Sequence, residues 1–203
     1  MKRLILISIL VGLLATPVLA GSTFRFITQA EVLGFSEITD YTNDPDGDAL
    51  YQGAYTTTAG YGPTLPAGSV GLVARAVGAY AGGVEANIEW IGLGATGIDL
   101  TGYTDYSVTI NNDDDDIWKY KLFVDDGIYA SRAESGSWTS IGSTSTGTLT
   151  LPISGYTTGS RVGLMIGSDT RENTVHTSIL IPEPATVVLL GLSSLSLILR
   201  RRR

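Results

Sequence analysis

The chain has 203 residues, a formal net charge of −7, no cysteine and a single histidine, His176. The lack of cysteine excludes disulfides, lipoprotein attachment, thiol catalysis and cysteine-ligated zinc, and one histidine excludes metal sites built from several histidines. The acidic balance disfavours binding to nucleic acid or to anionic lipid, because like charges repel.

The first twenty residues have the three parts of a secretory signal peptide. A basic start is followed by an apolar run over residues 4–14 and by small residues that end at Ala20. The apolar run is shorter than the ~20 residues that span a bilayer, which disfavours a retained anchor. We therefore predict a signal-peptide helix over residues 1–20, removed by signal peptidase between Ala20 and Gly21.

Residues 21–181 are predicted to form one exported domain, since their number suits a single domain with a substantial core. Without the six basic residues and the one acidic residue of the two ends, seven Lys and Arg remain against 19 Asp and Glu, a net charge of −12. This charge favours solubility outside the cell and attraction of divalent cations.

Short strands dominate the domain, which is rich in Gly, Thr, Ser and Tyr and shows no helical periodicity. In the clearest strand, Trp118, Tyr120, Leu122 and Val124 share one face. The other predicted strands cover residues 70–77, 86–93, 106–110, 138–141, 147–153, 162–167 and 175–181, and residues 21–66 contribute an edge strand or two. With Gly, Asn and Asp turns between them, they predict an all-β fold, an antiparallel β-sandwich or jelly roll with little helix.

Several short segments of the domain carry a resemblance to a known fold family. They are Asp99-Leu100-Thr101-Gly102-Tyr103, Tyr106-Ser107-Val108, Trp138 and Gly163-Leu164-Met165-Ile166. Their arrangement is similar to that of galactose-binding-like jelly rolls, which include many carbohydrate-binding modules. The resemblance covers residues 99–180 and implies a jelly roll with a glycan as a candidate ligand.

Two acidic segments are candidate cation sites. The first has three aspartates around Gly47: Asp44, Asp46 and Asp48. The second is a run of four carboxylates, to which the turn residues Asp125 and Asp126 could add ligands: Asp113, Asp114, Asp115 and Asp116. Carboxylate oxygens are the ligands calcium prefers, and crowded carboxylates repel one another unless a cation or solvent screens them. A structural calcium at either segment and an ordinary solvated turn remain open alternatives.

Aromatic side chains on the predicted strands are candidate platforms for sugar rings. We single out Trp118 and Tyr120 as candidate glycan-binding residues, with packing in the core as the alternative reading. Trp90 and Trp138 are less favoured, because both lie in apolar or structural-looking strands.

No arrangement of residues points to catalysis. The chain has no G-x-S-x-G elbow, and His176 is interpreted as a structural residue of the last strand. Glu85 and Glu89 would lie about 13 Å apart on one strand face, which is too far for direct cooperation. We predict no catalytic residues and no enzymatic activity, and a secreted glycosidase is the weakest alternative.

The last residues consist of a helix breaker, an apolar segment and a basic stop: Pro182-Glu183-Pro184, residues 185–199, and Arg200, Arg201, Arg202 and Arg203. Two prolines prevent a helix or strand from running into the tail, and the arginines prefer the cytoplasmic face of a membrane. The pattern predicts a transmembrane helix of marginal length with the domain outside the cell.

These three parts resemble the PEP-CTERM sorting signal over residues 182–203. In that family an integral-membrane processing enzyme, exosortase, recognises the tail and is thought to cut near the triplet. The resemblance implies a Gram-negative host that makes extracellular polysaccharide, whereas an ordinary C-terminal anchor would leave the triplet unexplained.

We therefore predict an exported, non-enzymatic protein, held first in the inner membrane by its tail and then at the cell surface or in the extracellular matrix. Its expected partners are signal peptidase, an exosortase and extracellular polysaccharide, and nucleic acid is not among them. A carbohydrate-binding module with a defined glycan site is the main alternative.

Overall fold

The computed structural model describes residues 22–42, 49–56, 64–76, 90–167 and 174–182. In these ranges the only helices are α1 (Gln29–Leu33) and two 3-10 turns, Thr39–Tyr41 and Tyr129–Ser131. The strands are β1 (Ser22–Phe24), β2 (Ser36–Glu37), β3 (Ala49–Tyr55), β4 (Ser69–Ala76), β5 (Trp90–Ile98), β6 (Tyr103–Asn112), β7 (Trp118–Asp125), β8 (Ala133–Glu134), β9 (Thr139–Ile141), β10 (Thr146–Pro152), β11 (Ser160–Gly167) and β12 (Thr174–Leu180). The prediction of an all-β fold with little helix is confirmed.

The described strands form two sheets of six strands each. Sheet A has the order β1-β6-β12-β4-β3, with β10 also paired to β6, and sheet B has the order β2-β5-β11-β7-β8, with β9 also paired to β7. Neighbouring strands are antiparallel except for β1 and β6, which are parallel. Strand β12 lies in the interior of sheet A, between β4 and β6.

One apolar core lies between the two sheets, and alternate residues of the longer strands point toward it. From sheet B, β7 contributes Trp118, Tyr120, Leu122 and Val124, each 0% exposed. The predicted common face of this strand is therefore confirmed. The Tyr120 hydroxyl donates a hydrogen bond to Thr177 Oγ1 of sheet A at 3.2 Å, so a polar contact also links the sheets inside the core.

Most predicted strands are present with shifted ends. Residues 70–76 belong to β4, residues 90–93 to β5 and residues 106–110 to β6, and β5 and β6 extend well beyond their predicted ends. Residue 77 and residues 86–89 of the predicted strands lie outside the described ranges. Trp138 precedes β9 instead of belonging to it. Strand ends depend on pairing with partners distant in sequence, which local alternation does not reveal.

Three edge or short strands, β1, β2 and β3, occupy the region in which one or two were expected. Helix α1 lies between β1 and β2 and begins with a capping box. The Thr28 hydroxyl accepts from the Glu31 amide, and the Glu31 carboxylate accepts from the Thr28 amide. The buried Val32 attaches this short helix to the core.

The two ends of the chain lie outside the described residues, and so do both predicted end helices. Within the described ranges, no helix has the length and apolar character of a membrane span.

Candidate functional site

A buried amide organises the acidic turn between β6 and β7. Asn112 is 0% exposed, and its Nδ2 donates to the carbonyl oxygens of Asp116 at 2.7 Å, Ile141 at 2.9 Å and Gly142 at 3.1 Å. Its Oδ1 accepts from the Asp114 amide at 3.1 Å. The acidic turn is thereby fixed to the segment that follows β9. Sequence reasoning missed this residue, because an asparagine beside aspartates is typical of any exposed turn.

Three carboxylates of the acidic turn converge: Asp114, Asp115 and Asp116 bring one oxygen each to within 4.8 Å of one another. Asp114 accepts from the His176 amide at 3.2 Å and from the Asp115 amide at 2.9 Å. Burial raises the pKa of the Asp114 carboxyl, and the neighbouring Asp115 carboxyl raises it further. Carboxylates held this close repel one another, so the three oxygens fit the ligand chemistry of a calcium ion.

Asp113 has a different environment on the same turn. One of its oxygens accepts from the Asn111 side-chain amide, and its Oδ2 is buried with no hydrogen-bond partner among the described residues. Burial raises the pKa of this carboxyl above its usual range. The acidic run therefore comprises two environments, a partly enclosed Asp113 and a cluster of the three carboxylates that follow.

We expect chelation of calcium with EDTA to lower the melting temperature of the protein. A ligand that binds only the folded state stabilises it by about 2.7 kcal/mol at a concentration one hundred times its Kd. The double variant Asp115→Asn/Asp116→Asn should lose the EDTA effect. Asp126→Asn should keep it, because this exposed carboxylate lies at the opposite end of β7 from the acidic turn and adds no ligand there. Thermal denaturation with and without EDTA gives the change in melting temperature of the parent protein and of both variants. If EDTA leaves the melting temperature of the parent protein unchanged, the calcium prediction is wrong.

The structure corrects the prediction that Trp118 and Tyr120 bind a glycan. Both side chains are 0% exposed and belong to the core between the sheets. A sugar ring needs a free aromatic face, and a ring enclosed by protein offers none. The cause is the alternation of β7, which places both rings on the face occupied by Leu122 and Val124.

A second apolar cluster lies on the outer face of sheet B and contains Ile38, Tyr41, Phe123 and Met165. The Tyr41 and Phe123 rings are stacked, with centroids 3.7 Å apart and planes inclined at 16°. Gly92 lies directly beneath Tyr41, and a Cβ at this position would be 2.4 Å from the Tyr41 Cβ. Glycine is therefore required for the 3-10 turn to rest on the sheet.

A buried ion pair borders this cluster. Asp125 is 0% exposed, and Arg161 binds it in a bidentate manner, with Nε to Oδ1 and Nη2 to Oδ2 both at 2.7 Å. The Tyr41 hydroxyl donates to Asp125 Oδ2 at 2.9 Å, the Gly127 amide donates to Oδ1 at 2.8 Å, and Arg161 Nη1 binds Asp40 at 2.8 Å. Burial, with the Asp125 hydrogen bond, raises the pKa of Tyr41, and Asp125 raises that of Arg161. Both oxygens of Asp125 are thus engaged, so this residue does not serve the acidic turn as a cation ligand.

Strand β12 leads directly into the proline triplet. Its last residue, Leu180, pairs with Ser69 of β4 and Thr109 of β6. Ile181 is half-buried and Pro182 is exposed, so the chain reaches solvent two residues after an interior strand. The other predicted sorting, cleavage and calcium residues lie outside the described ranges: Ala20, Gly21, Asp44, Asp46, Asp48, Glu183, Pro184, Arg200, Arg201, Arg202 and Arg203.

Residues 180–203 match the family model of the PEP-CTERM protein-sorting motif. The chain carries this sorting motif. The PEP-CTERM motif implies an exported protein that is sorted by an exosortase and anchored in the membrane before processing. No curated protein matches the chain in sequence.

The PEP-CTERM motif begins at Leu180, the final residue of β12, so fold and sorting signal share this position. A single residue, Ile181, separates β12, an interior strand of sheet A, from the proline triplet. The folded domain and the motif are therefore closely coupled along the chain.

Proposed function

We propose that this protein is a non-enzymatic component of the cell surface or extracellular matrix that associates with extracellular polysaccharide. The observation that carries the proposal is the PEP-CTERM motif at residues 180–203, directly after β12. The motif supports delivery of the domain over residues 21–181 across the membrane. Processing of the tail would then leave this domain outside the cell. A net charge of −12 on residues 21–181 favours solubility there and disfavours adsorption to anionic lipid.

The strand order supports placing the domain among jelly-roll sandwiches. Four strands of sheet A follow the order β4-β12-β6-β10, and four strands of sheet B follow the order β5-β11-β7-β9. Most successive strands along the chain thus alternate between the two sheets, as in a jelly roll built from two Greek keys. The finer similarity to galactose-binding-like domains remains a prediction.

We expect the sorting motif to decide where the protein is found. In a bacterium with an exosortase, the parent protein should pass through the membrane fraction and accumulate at the surface or in the matrix, shortened at both ends. The variant Pro182→Ala/Pro184→Ala should stay in the membrane with its tail uncut, because the helix breaker is lost. Cell fractionation with mass spectrometry of the termini measures both outcomes.

Two further treatments complete this experiment. Enzymatic degradation of the extracellular polysaccharide should release the parent protein into the medium, whereas Thr148→Ala, a change on an exposed strand position, should leave sorting unaffected. Recovery of an uncut polypeptide from the cytosol would disprove the export route, and retention after polysaccharide degradation would disprove the matrix association.

A second candidate function is a carbohydrate-binding module with a defined glycan site. Trp90 and Trp138 favour it, because both are half-buried on the outer face of sheet B instead of enclosed in the main core.

A further inference from the structure

Two tryptophans lie side by side on the outer face of sheet B. The ring centroids of Trp90 and Trp138 are 6.4 Å apart, and the ring planes are inclined at 54°. Both side chains pack against the outer cluster but remain partly accessible. Aromatic rings of this kind supply apolar faces on which sugar rings stack.

Two lysines lie near these rings. The Lys121 ammonium lies 5.6 Å from the centroid of the Trp138 ring. Gly167 of β11 pairs with Trp90 on one side and with Lys119 on the other, so a residue without a side chain separates the tryptophan from this lysine. Across the strands of sheet B, the order is therefore the Trp90 indole, the bare backbone of Gly167 and the Lys119 side chain.

A second aromatic and cationic pair extends the surface. The Arg132 guanidinium lies 3.9 Å from the centroid of the Tyr129 ring, which is 42% exposed. Glu134 joins this pair to the tryptophans, because its carboxylate binds Lys121 at 2.9 Å and Arg132 at 3.3 Å. In the free domain this carboxylate holds both cations in place beside the rings.

The distribution of charge indicates the kind of ligand. The described ranges contain six Lys and Arg residues, and three of them lie beside these rings: Lys119, Lys121 and Arg132. The fourth cation of this face, Arg161, is already bound by Asp125 and Asp40. An acidic polymer would be repelled by most of a domain with a net charge of −12 and would find its cationic partners here. Ammonium and guanidinium groups bind carboxylates through charge-assisted hydrogen bonds, which a neutral glycan does not offer.

We propose that the outer face of sheet B binds an acidic, uronate-bearing polysaccharide through Trp90, Trp138 and Lys121. The rings stack on the sugar units, and the lysine binds a uronate carboxylate. Tyr129 and Arg132 extend the surface for a longer chain. This inference rests on the proposed association with extracellular polysaccharide and assigns that association to one face of the domain.

The test uses the full chain purified in detergent and titrated with polygalacturonate, with dextran as the neutral polymer. Trp138→Ala should weaken polygalacturonate binding about tenfold or more, the effect typical of a central aromatic contact. Lys121→Gln should also weaken binding, and Lys121→Arg should restore most of it. Binding should weaken as ionic strength rises, and Thr148→Ala on sheet A should bind like the parent protein.

Circular dichroism identifies any variant that does not fold, and the two Lys121 variants carry the test if Trp138→Ala fails to fold. Equal binding of dextran and polygalacturonate would overturn the selection by charge. Undiminished binding by the Trp138 and Lys121 variants would overturn the assignment to this face. A lack of polygalacturonate binding, with release of the protein from cells by polysaccharide degradation, would overturn this inference and leave the proposed function intact.

Discussion

The variant Asp125→Ala should lose about 3–5 kcal/mol of its free energy of unfolding, the cost of leaving one partner of a buried ion pair alone. In the native fold, Asp125 is 0% exposed and both of its oxygens bind Arg161. Among the described residues, its removal leaves Asp40, which is partly exposed, as the ion-pair partner of the guanidinium, and it deprives the Tyr41 hydroxyl of its acceptor. Urea denaturation followed by tryptophan fluorescence measures the loss.

The neighbouring residue provides a matched control. Asp126 is exposed, and Asp126→Ala should change the free energy of unfolding by less than about 1 kcal/mol. The double variant Asp125→Leu/Arg161→Met should recover part of the loss, because apolar residues remove both buried charges together. A stability of Asp125→Ala within about 1 kcal/mol of the parent protein would show that the ion pair does not hold the Tyr41 segment on sheet B.

We expect Trp118→Ala to destabilise the protein by about 3–5 kcal/mol, as is typical when a large aromatic side chain is removed from a core. Trp118 is 0% exposed on the core face of β7. The loss has two causes, the apolar surface that is no longer buried and the cavity that the surrounding strands fill only partly. Thermal and urea denaturation measure it.

Two other tryptophan variants separate packing from binding. Trp118→Phe should cost much less than Trp118→Ala, because a smaller cavity remains and because the indole Nε1 has no hydrogen-bond partner among the described residues. Trp138→Ala, at a half-buried position, should cost less stability than Trp118→Ala while weakening polysaccharide binding more. The opposite order of effects would contradict the placement of the two rings.

The tryptophans show where sequence reasoning reaches its limit. Alternation in β7 indicates that Trp118 and Tyr120 share a face with Leu122 and Val124, and this face lies in the core. Choosing the two rings as a glycan platform rested on residue type and ignored their apolar neighbours. Trp138 was predicted to begin a strand over residues 138–141, but it precedes β9. Alternation therefore gave no information about the face to which its side chain points.

Asp125 and Asn112 illustrate a second limit. Each lies at a strand end beside other polar residues and is typical of a solvated turn when only its neighbours in sequence are considered. Both are fully buried, since Asp125 binds Arg161, 36 residues later, and Asn112 binds the carbonyl of Ile141, 29 residues later. A buried polar residue is recognised by its partners, and these partners are distant along the chain.

The sequence by itself determined the all-β class, the face that β7 presents to the core and the PEP-CTERM motif. Each of these depends on residues close together in the chain, through alternation in a strand or through the order of a proline triplet, an apolar run and arginines. Only the tertiary structure decided the pairing of the strands, the burial of Asp125 and the placement of Trp90 beside Trp138. These depend on which distant segments meet across and between the sheets, and local composition does not specify that choice.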